Sequence, residues 1–104
     1  MEYVRFGRSS LKISRLSLGA MGFGSRSWRD WIITQDAARP VIAKALELGI
    51  NCIDTCDFYS NGESERILGN LLWDMVKRDD VILATKAGNP MASHVNAVSY
   101  THLR

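Results

Sequence analysis

Strand-like and helix-like segments alternate along this chain, and that alternation restricts it to folds built on a parallel sheet. Leu16 to Ala20 is a short strand-like run, Ile50 to Asp54 a second, and Asp80 to Thr85 a third, with Val81-Ile82-Leu83-Ala84 in its middle. Between the first two runs, Ala38, Val41, Ile42, Ala45 and Leu46 recur at helical spacing. Thr34 or Asp36 is the expected N-cap, Pro40 sits in or just past the first turn, and Gly49 closes the helix. Ile67, Leu68, Leu71, Leu72, Met75 and Val76 form the second stripe, in a helix expected from about Glu63 to Lys77. Lys77 and Arg78 suit the negative end of its dipole. The strands start roughly thirty residues apart, and tight returns after each helix imply right-handed crossovers. An open doubly wound sheet and a closed (β/α)8 barrel both satisfy this order, and periodicity does not choose between them.

A hairpin precedes the alternation. Val4 and Phe6 share a face, as do Leu11 and Ile13, with Gly7-Arg8-Ser9-Ser10 as the turn. Its apolar face has to be covered by another element. After Ala20 comes a glycine-rich loop, Met21-Gly22-Phe23-Gly24, followed by Ser25-Arg26-Ser27-Trp28 rather than by a helix. The G-x-G-x-x-G that opens a helix in dinucleotide-binding folds is therefore absent. A phosphate-binding P-loop is excluded, because no Gly-Lys-Ser/Thr follows.

Composition removes several classes of function. A 46% hydrophobic and 23% charged chain is globular rather than disordered. Thirteen Lys and Arg against eleven Asp and Glu leave a net charge of +2, too weak and too evenly spread for a nucleic-acid surface. No apolar stretch of signal-peptide length follows Met1, and Lys44, Glu47 and Asp54 interrupt every longer run, so neither export nor membrane insertion is expected. A cytoplasmic protein is the expectation. Cys52 and Cys56 are too few for a disulfide framework, and their spacing, with no partner pair, is not that of a zinc knuckle. Both are expected as small buried hydrophobes, and no metal site is expected.

The chemistry concentrates where strands end. Asp54 ends the second strand and Lys86 ends the third, and parallel sheets gather their carboxyl ends at one edge, where α/β proteins hold their sites. Neighbouring strands lie about 4.8 Å apart, close enough for an Asp54–Lys86 ion pair. Alternation puts Cys52 on the face of Asp54, and Ile82 and Ala84 on the face of Lys86. Tyr59 lies in the loop at the same edge. A free tyrosine, with a pKa of about 10, is a poor proton donor at neutral pH, and an adjacent ammonium favours its phenolate. Paired with a lysine that a carboxylate orients, such a phenol becomes a general acid suited to a carbonyl oxygen.

The run Gly49-Ile50-Asn51-Cys52-Ile53-Asp54-Thr55, then Tyr59, Asn61-Gly62-Glu63-Ser64-Glu65, Ile67-Leu68-Gly69 and Leu83-Ala84-Thr85-Lys86 resembles the aldo-keto reductase signature. The stretch Phe23-Gly24-Ser25-Arg26-x-Trp28-Arg29-x-Trp31 is similar to soluble microbial and fungal members, including those like aryl-alcohol dehydrogenases. The resemblance covers about residues 3 to 97. It implies a (β/α)8 barrel whose floor is plugged by the hairpin and which binds NADPH at its carboxyl face. It also implies Tyr59 as proton donor, Asp54 and Lys86 as its tuning partners, and Ala20, Met21 and Asp54 as cofactor contacts. The substrate would be a small carbonyl compound, with no nucleic-acid or membrane partner. Trp28 and Trp31 are weighed as pocket lining against mere cover for the barrel rim, with the pocket preferred.

Two features depart from the family pattern. The family's catalytic histidine ends a fourth strand, and neither His94 nor His102 stands in matching sequence. Residues 98 to 104, Val-Ser-Tyr-Thr-His-Leu-Arg, do not continue the family-like flow, which suggests a truncated or chimeric reading frame. The expected architecture is therefore the hairpin plus the first three βα units of an incomplete barrel over residues 1–97. Such a chain alone is expected to be inactive, while the longer protein reduces aldehydes or ketones. A regulatory or non-catalytic NADPH-binding barrel is the alternative, disfavoured by the features around Trp28 and Trp31. Carbonyl substrate, NADPH over NADH preference and oligomeric state have no signature here.

Overall fold

The computed structural model describes residues 1–90. His94, His102 and the segment 98–104 lie outside the described residues. The elements run β1 (Tyr3–Arg5), β2 (Lys12–Ser14), β3 (Leu18–Gly19), α1 (Gln35–Glu47), β4 (Cys52–Asp54), α2 (Glu63–Leu71) and β5 (Ile82–Ala84). Strands β1 and β2 pair antiparallel, with Val4 opposite Ile13. The other three form a parallel sheet in the order β3-β4-β5, with Gly19 opposite Asp54 and Asp54 opposite Ala84. Ladder pairing is tighter than the strand-like runs suggest, but the hydrogen bond from Ala20 N to Asp54 O extends it by a residue.

Alternation sorts the sheet into two faces. Ile53 is buried, and Leu18 and Leu83 are packed beside it on the face covered by the helices. There they meet Ala38 and Ile42 of α1 and Ile67, Leu68 and Leu71 of α2. Each fully buried Leu or Ile stabilises the fold by about 1.5–3 kcal/mol through removal from water. Cys52, Asp54, Ile82 and Ala84 stand on the opposite face and keep part or all of their exposure. Cys56 is buried as expected, while Cys52 is only half-buried because it belongs to this open face; both thiols are free.

Helix ends follow local chemistry. Thr34 is the N-cap of α1 by backbone geometry, but its side chain caps nothing, and Asp36 supplies negative charge in the first turn. Pro40 falls inside the helix, beyond the first-turn N–H groups that lack partners anyway, so the helix forgoes its bond to the Asp36 carbonyl. Gly49, at φ 93°, terminates α1: its N–H bonds Leu46 O and the Ile50 N–H bonds Ala45 O. The second helix is shorter than its stripe. It ends at Leu71 and tightens into a 3-10 turn, Leu72–Asp74, where Leu72 O accepts from both Met75 N and Val76 N. Acidic Asp74 at the negative helix end opposes continuation. The tightened turn still keeps Leu72 buried and Met75 and Val76 half-buried, so the apolar stripe outlasts the helix.

The hairpin is tied to the amino-terminal end of the sheet. Ser14 N donates to Asn51 Oδ1 at 2.8 Å, Asn51 N to Ser14 Oγ at 3.1 Å, and Asn51 Nδ2 to Lys12 O at 3.0 Å. Tyr3 Oη donates to Gly49 O at 2.7 Å. Val4, Phe6 and Leu11 nevertheless remain exposed, so the apolar face of the hairpin is not covered by any described element.

Candidate active site

The carboxyl ends of β3, β4 and β5 form one edge, and three of the residues singled out in the sequence meet there. Lys86, two residues beyond β5, donates from Nζ to both Asp54 carboxylate oxygens at 2.8 Å and to Thr55 O at 2.6 Å. The Thr55 N–H bonds Ala84 O and the Asp57 N–H bonds Lys86 O, so the backbone locks the two chains in register on either side of the pair. Burial is the largest single influence on Lys86 and acts to lower its pKa. The hydrogen bond and charge of Asp54, followed by Tyr59, outweigh it together, and the pKa stands above the usual lysine value. The ammonium therefore keeps its charge throughout the neutral range. Its Nζ lies 5.2 Å from the centroid of the Tyr59 ring.

Tyr59 opens an unusual turn. Ser60 (φ 49°, ψ 36°), Asn61 (φ 54°, ψ 42°) and Gly62 (φ 96°) are successive left-handed residues, and α2 begins immediately after them. Left-handed backbone costs a side-chain-bearing residue about 1–2 kcal/mol, so surrounding contacts have to hold it. Asn61 N bonds Phe58 O at 3.0 Å. Ser60 is buried, and its Oγ accepts from Ser25 N at 3.1 Å. Ser60 packs so closely on Gly24 that a Cβ at Gly24 would collide with both Oγ and Cβ of Ser60.

Aromatic rings enclose the tyrosine on one side. Trp28 lies 6.3 Å from the Tyr59 ring and 5.5 Å, edge to face, from Phe58, while Trp31 is 6.4 Å further out and exposed. The Arg29 guanidinium covers the Trp28 ring at 4.4 Å. Trp28 is thus a wall beside Tyr59, and Trp31 an outer rim.

The positions expected from the sequence to contact a cofactor separate. Ala20 is fully buried on the helix side, with its N–H given to Asp54 O and its carbonyl accepting from Phe23 N and Ser64 Oγ, so it presents no free group. Met21, next along, is exposed at the rim. Above Gly19, opposite Asp54 in the ladder, a Cβ would meet nothing within 4 Å, and the same holds at Gly22. The space above this edge is thus open beside a half-exposed carboxylate.

A buried hydroxyl pair beneath this edge has no counterpart in the sequence reading. Ser64 Oγ donates to Ala20 O at 2.8 Å, an atom that only accepts, so it is Thr55 that donates to Ser64 Oγ at 2.7 Å. This chain joins the first turn of α2 to the ends of β3 and β4. Nearby, Thr85 Oγ1 donates to Glu65 Oε2 at 2.7 Å, so Glu65 binds across to the β5 side as well as supplying charge at the helix start. The partners are separated by 9 to 44 residues, and no local pattern announces them. Ser60 and Gly24 were missed for the same reason, although Asn61-Gly62 does signal a turn.

Fold and edge together define a parallel α/β protein carrying a carboxylate, an ammonium and a phenol at the carboxyl ends of its strands. Residues 15–103 match the sequence model of the aldo/keto reductase family, and the chain belongs to that family. It is 42% identical over 87 residues to the versiconal hemiacetal acetate reductase of Aspergillus parasiticus, which covers 83% of this chain and 25% of that protein. It is 41% identical over 93 residues to a protein of Saccharomyces cerevisiae provisionally named as an aryl-alcohol dehydrogenase, covering 88% of this chain and 27% of the other. Among solved structures, the holo form of an aldo-keto reductase from Bacillus halodurans superposes with a TM-score of 0.74 at 35% identity, over 94% of this chain and 30% of that one. The chain spans about a quarter of the length of the curated relatives it matches. The family is one of oxidoreductases, TIM barrels that reduce carbonyl groups to alcohols with NAD(P)H. No helix among the described residues is long and apolar enough to cross a membrane.

Proposed function

We propose that a complete barrel carrying this stretch reduces an aldehyde or ketone to an alcohol with NADPH, and that Tyr59 delivers the proton. The observation that carries this reading is the convergence of Asp54, Lys86 and Tyr59 at one sheet edge. The residues fit the reacting end of a nicotinamide cofactor: the open space over Gly19, where no side chain stands, leaves room for a flat ring, and the Asp54 carboxylate would accept a ribose hydroxyl. Met21 would cover that end from the rim, while Ala20 acts through the turn it anchors. When bound, the nicotinamide supplies hydride to the carbonyl carbon. Tyr59 Oη donates its hydrogen bond to the carbonyl oxygen and transfers the proton as negative charge grows there. The Lys86 ammonium stabilises the charge left on the phenolic oxygen. Asp54 holds that ammonium in place and maintains its charge. Trp28 and Phe58 keep bulk water from one side of the reacting centre.

In a complete protein of family length, Tyr59→Phe is expected to lower kcat for NADPH-dependent carbonyl reduction at least about 100-fold. Cofactor affinity, measured by fluorescence titration, is expected to stay within about twofold, because the hydroxyl contacts the carbonyl and not the cofactor. Turnover close to wild type in Tyr59→Phe would remove the proton-donor assignment.

We further infer that the described elements are the hairpin, the first two βα units and the third strand of the eight-unit barrel, the first three units lying within residues 1–97. Both outer strands of the parallel sheet have an unpaired side among the described residues, and one sheet face is open. The 104-residue polypeptide alone is therefore expected to associate in solution and to oxidise no NADPH. A monomer on size-exclusion chromatography with a sharp thermal transition would contradict that.

A further inference from the structure

We infer that Ser60 is a positioning residue for Tyr59: its buried hydroxyl clamps the Tyr59 turn to the loop after β3, so that the phenol and its Trp28 wall are held as one unit. This rests on the reading of Tyr59 as proton donor and adds a residue to it.

The contacts close a circuit. Ser60 follows Tyr59 directly, and its Oγ accepts from the Ser25 N–H at 3.1 Å. The Ser25 carbonyl accepts from the Trp28 N–H at 3.0 Å. The Trp28 ring returns to the Tyr59 ring at 6.3 Å and to Phe58 at 5.5 Å. The loop itself is anchored elsewhere, because Gly24 N bonds Ile33 O and Ile33 N bonds Gly22 O just before α1 starts. Only the Tyr59 turn, with two side-chain-bearing residues in left-handed backbone, has to be held from outside. Ser60 is the residue that does so, 5% exposed and seated where Gly24 has no Cβ. Without that contact the turn can relax towards ordinary backbone angles, and the phenol moves relative to Lys86. Small displacements of a reacting group carry large rate penalties.

Glycine at position 60 separates positioning from folding. It removes the hydroxyl that holds the turn and relieves the left-handed strain at position 60, while Asn61 stays left-handed and keeps the turn in need of an outside hold. In a complete enzyme of this sequence, Ser60→Gly is expected to lower kcat about tenfold or more, with the carbonyl KM within about twofold and a melting temperature equal to or above wild type. Near-UV circular dichroism from the aromatic cluster is expected to weaken in the same variant. Gly24→Ala should lower both kcat and melting temperature. In the double variant, the absent Ser60 side chain makes room for the new methyl group, so the melting temperature is expected to recover while kcat does not. Recovery of both would show a packing role only and overturn the proposal, as would a Ser60→Gly enzyme with kcat within twofold of wild type. If wild type reduces no carbonyl, or Tyr59→Phe retains turnover, the proton-donor reading fails first and takes this one with it. An inert Ser60→Gly beside an inactive Tyr59→Phe removes the clamp alone.

Discussion

Replacing Lys86 by methionine separates the proposed catalytic role of the ion pair from its structural role. The change keeps most of the side-chain length and deletes the charge. The Nζ lies 5.2 Å from the Tyr59 ring centroid. Taking that as the charge separation, with an effective dielectric of about 20, the interaction with a full negative charge on the phenol is about 3 kcal/mol. At about 1.4 kcal/mol per factor of ten, that is roughly 100-fold in rate. The Lys86 side chain is 47% exposed, and solvent screening reduces the figure, so kcat is expected to fall between about 10-fold and 100-fold. The same exposure limits the contribution to folding, since a half-exposed pair is worth no more than about 1 kcal/mol. The melting temperature of a complete enzyme of family length should accordingly move by no more than about 1–2 °C. Steady-state NADPH oxidation and a thermal melt on one preparation report both quantities. A variant that keeps half its kcat, or loses activity only by unfolding, would refute the electrostatic role assigned to the ammonium.

Other outcomes follow from the same geometry. Ser64→Ala removes one of the two donors to Ala20 O, which keeps the Phe23 N–H, and leaves the buried Thr55 hydroxyl without its acceptor, so it is expected to destabilise a complete enzyme by about 1–3 kcal/mol in denaturant titration. Gly49→Ala forces a side chain into backbone at φ 93°, with its Cβ 2.8 Å from Tyr3 Oη, and should cost about 1–3 kcal/mol in the same assay. The Lys86 pKa is raised on folding, so the stabilisation it brings is fully present below the unfolded lysine value of about 10.4 and disappears as pH rises through the higher folded value. The stability difference between wild type and Lys86→Met should therefore stay constant from about pH 7 to 9 and shrink above about pH 10.5.

Much of the architecture was legible because local rules carried it. Apolar residues at helical spacing, a glycine past a helix end and short β-branched runs determine elements within a few residues of one another, and the alternation of those elements leads to a parallel sheet. The alternation also put Asp54 and Lys86 at one edge, since neighbouring parallel strands must bring their carboxyl ends together. Where the reading went astray, a competing local effect was at work: α2 ended at Leu71 although its apolar stripe continued, because a 3-10 turn can still bury Leu72. Pro40, by contrast, stands just past the first turn of α1 as its spacing implied, with Ala38 and Ile42 buried on either side of it.

Tertiary structure alone decided how the edge is held. Contacts such as Ser64 with Ala20, Ser60 with Ser25 and Asn51 with Ser14 join residues 35 to 44 positions apart. Serine, threonine and asparagine carry no periodic signal, and their hydrogen bonds depend on which segments the crossovers bring within 3 Å of each other. The sequence by itself determined which residue types reach the carboxyl edge. Packing of α2 and the two loops against the sheet then decided that Ala20 turns inward, that Met21 stays outside, and that Tyr59 stands on a left-handed turn beside Lys86.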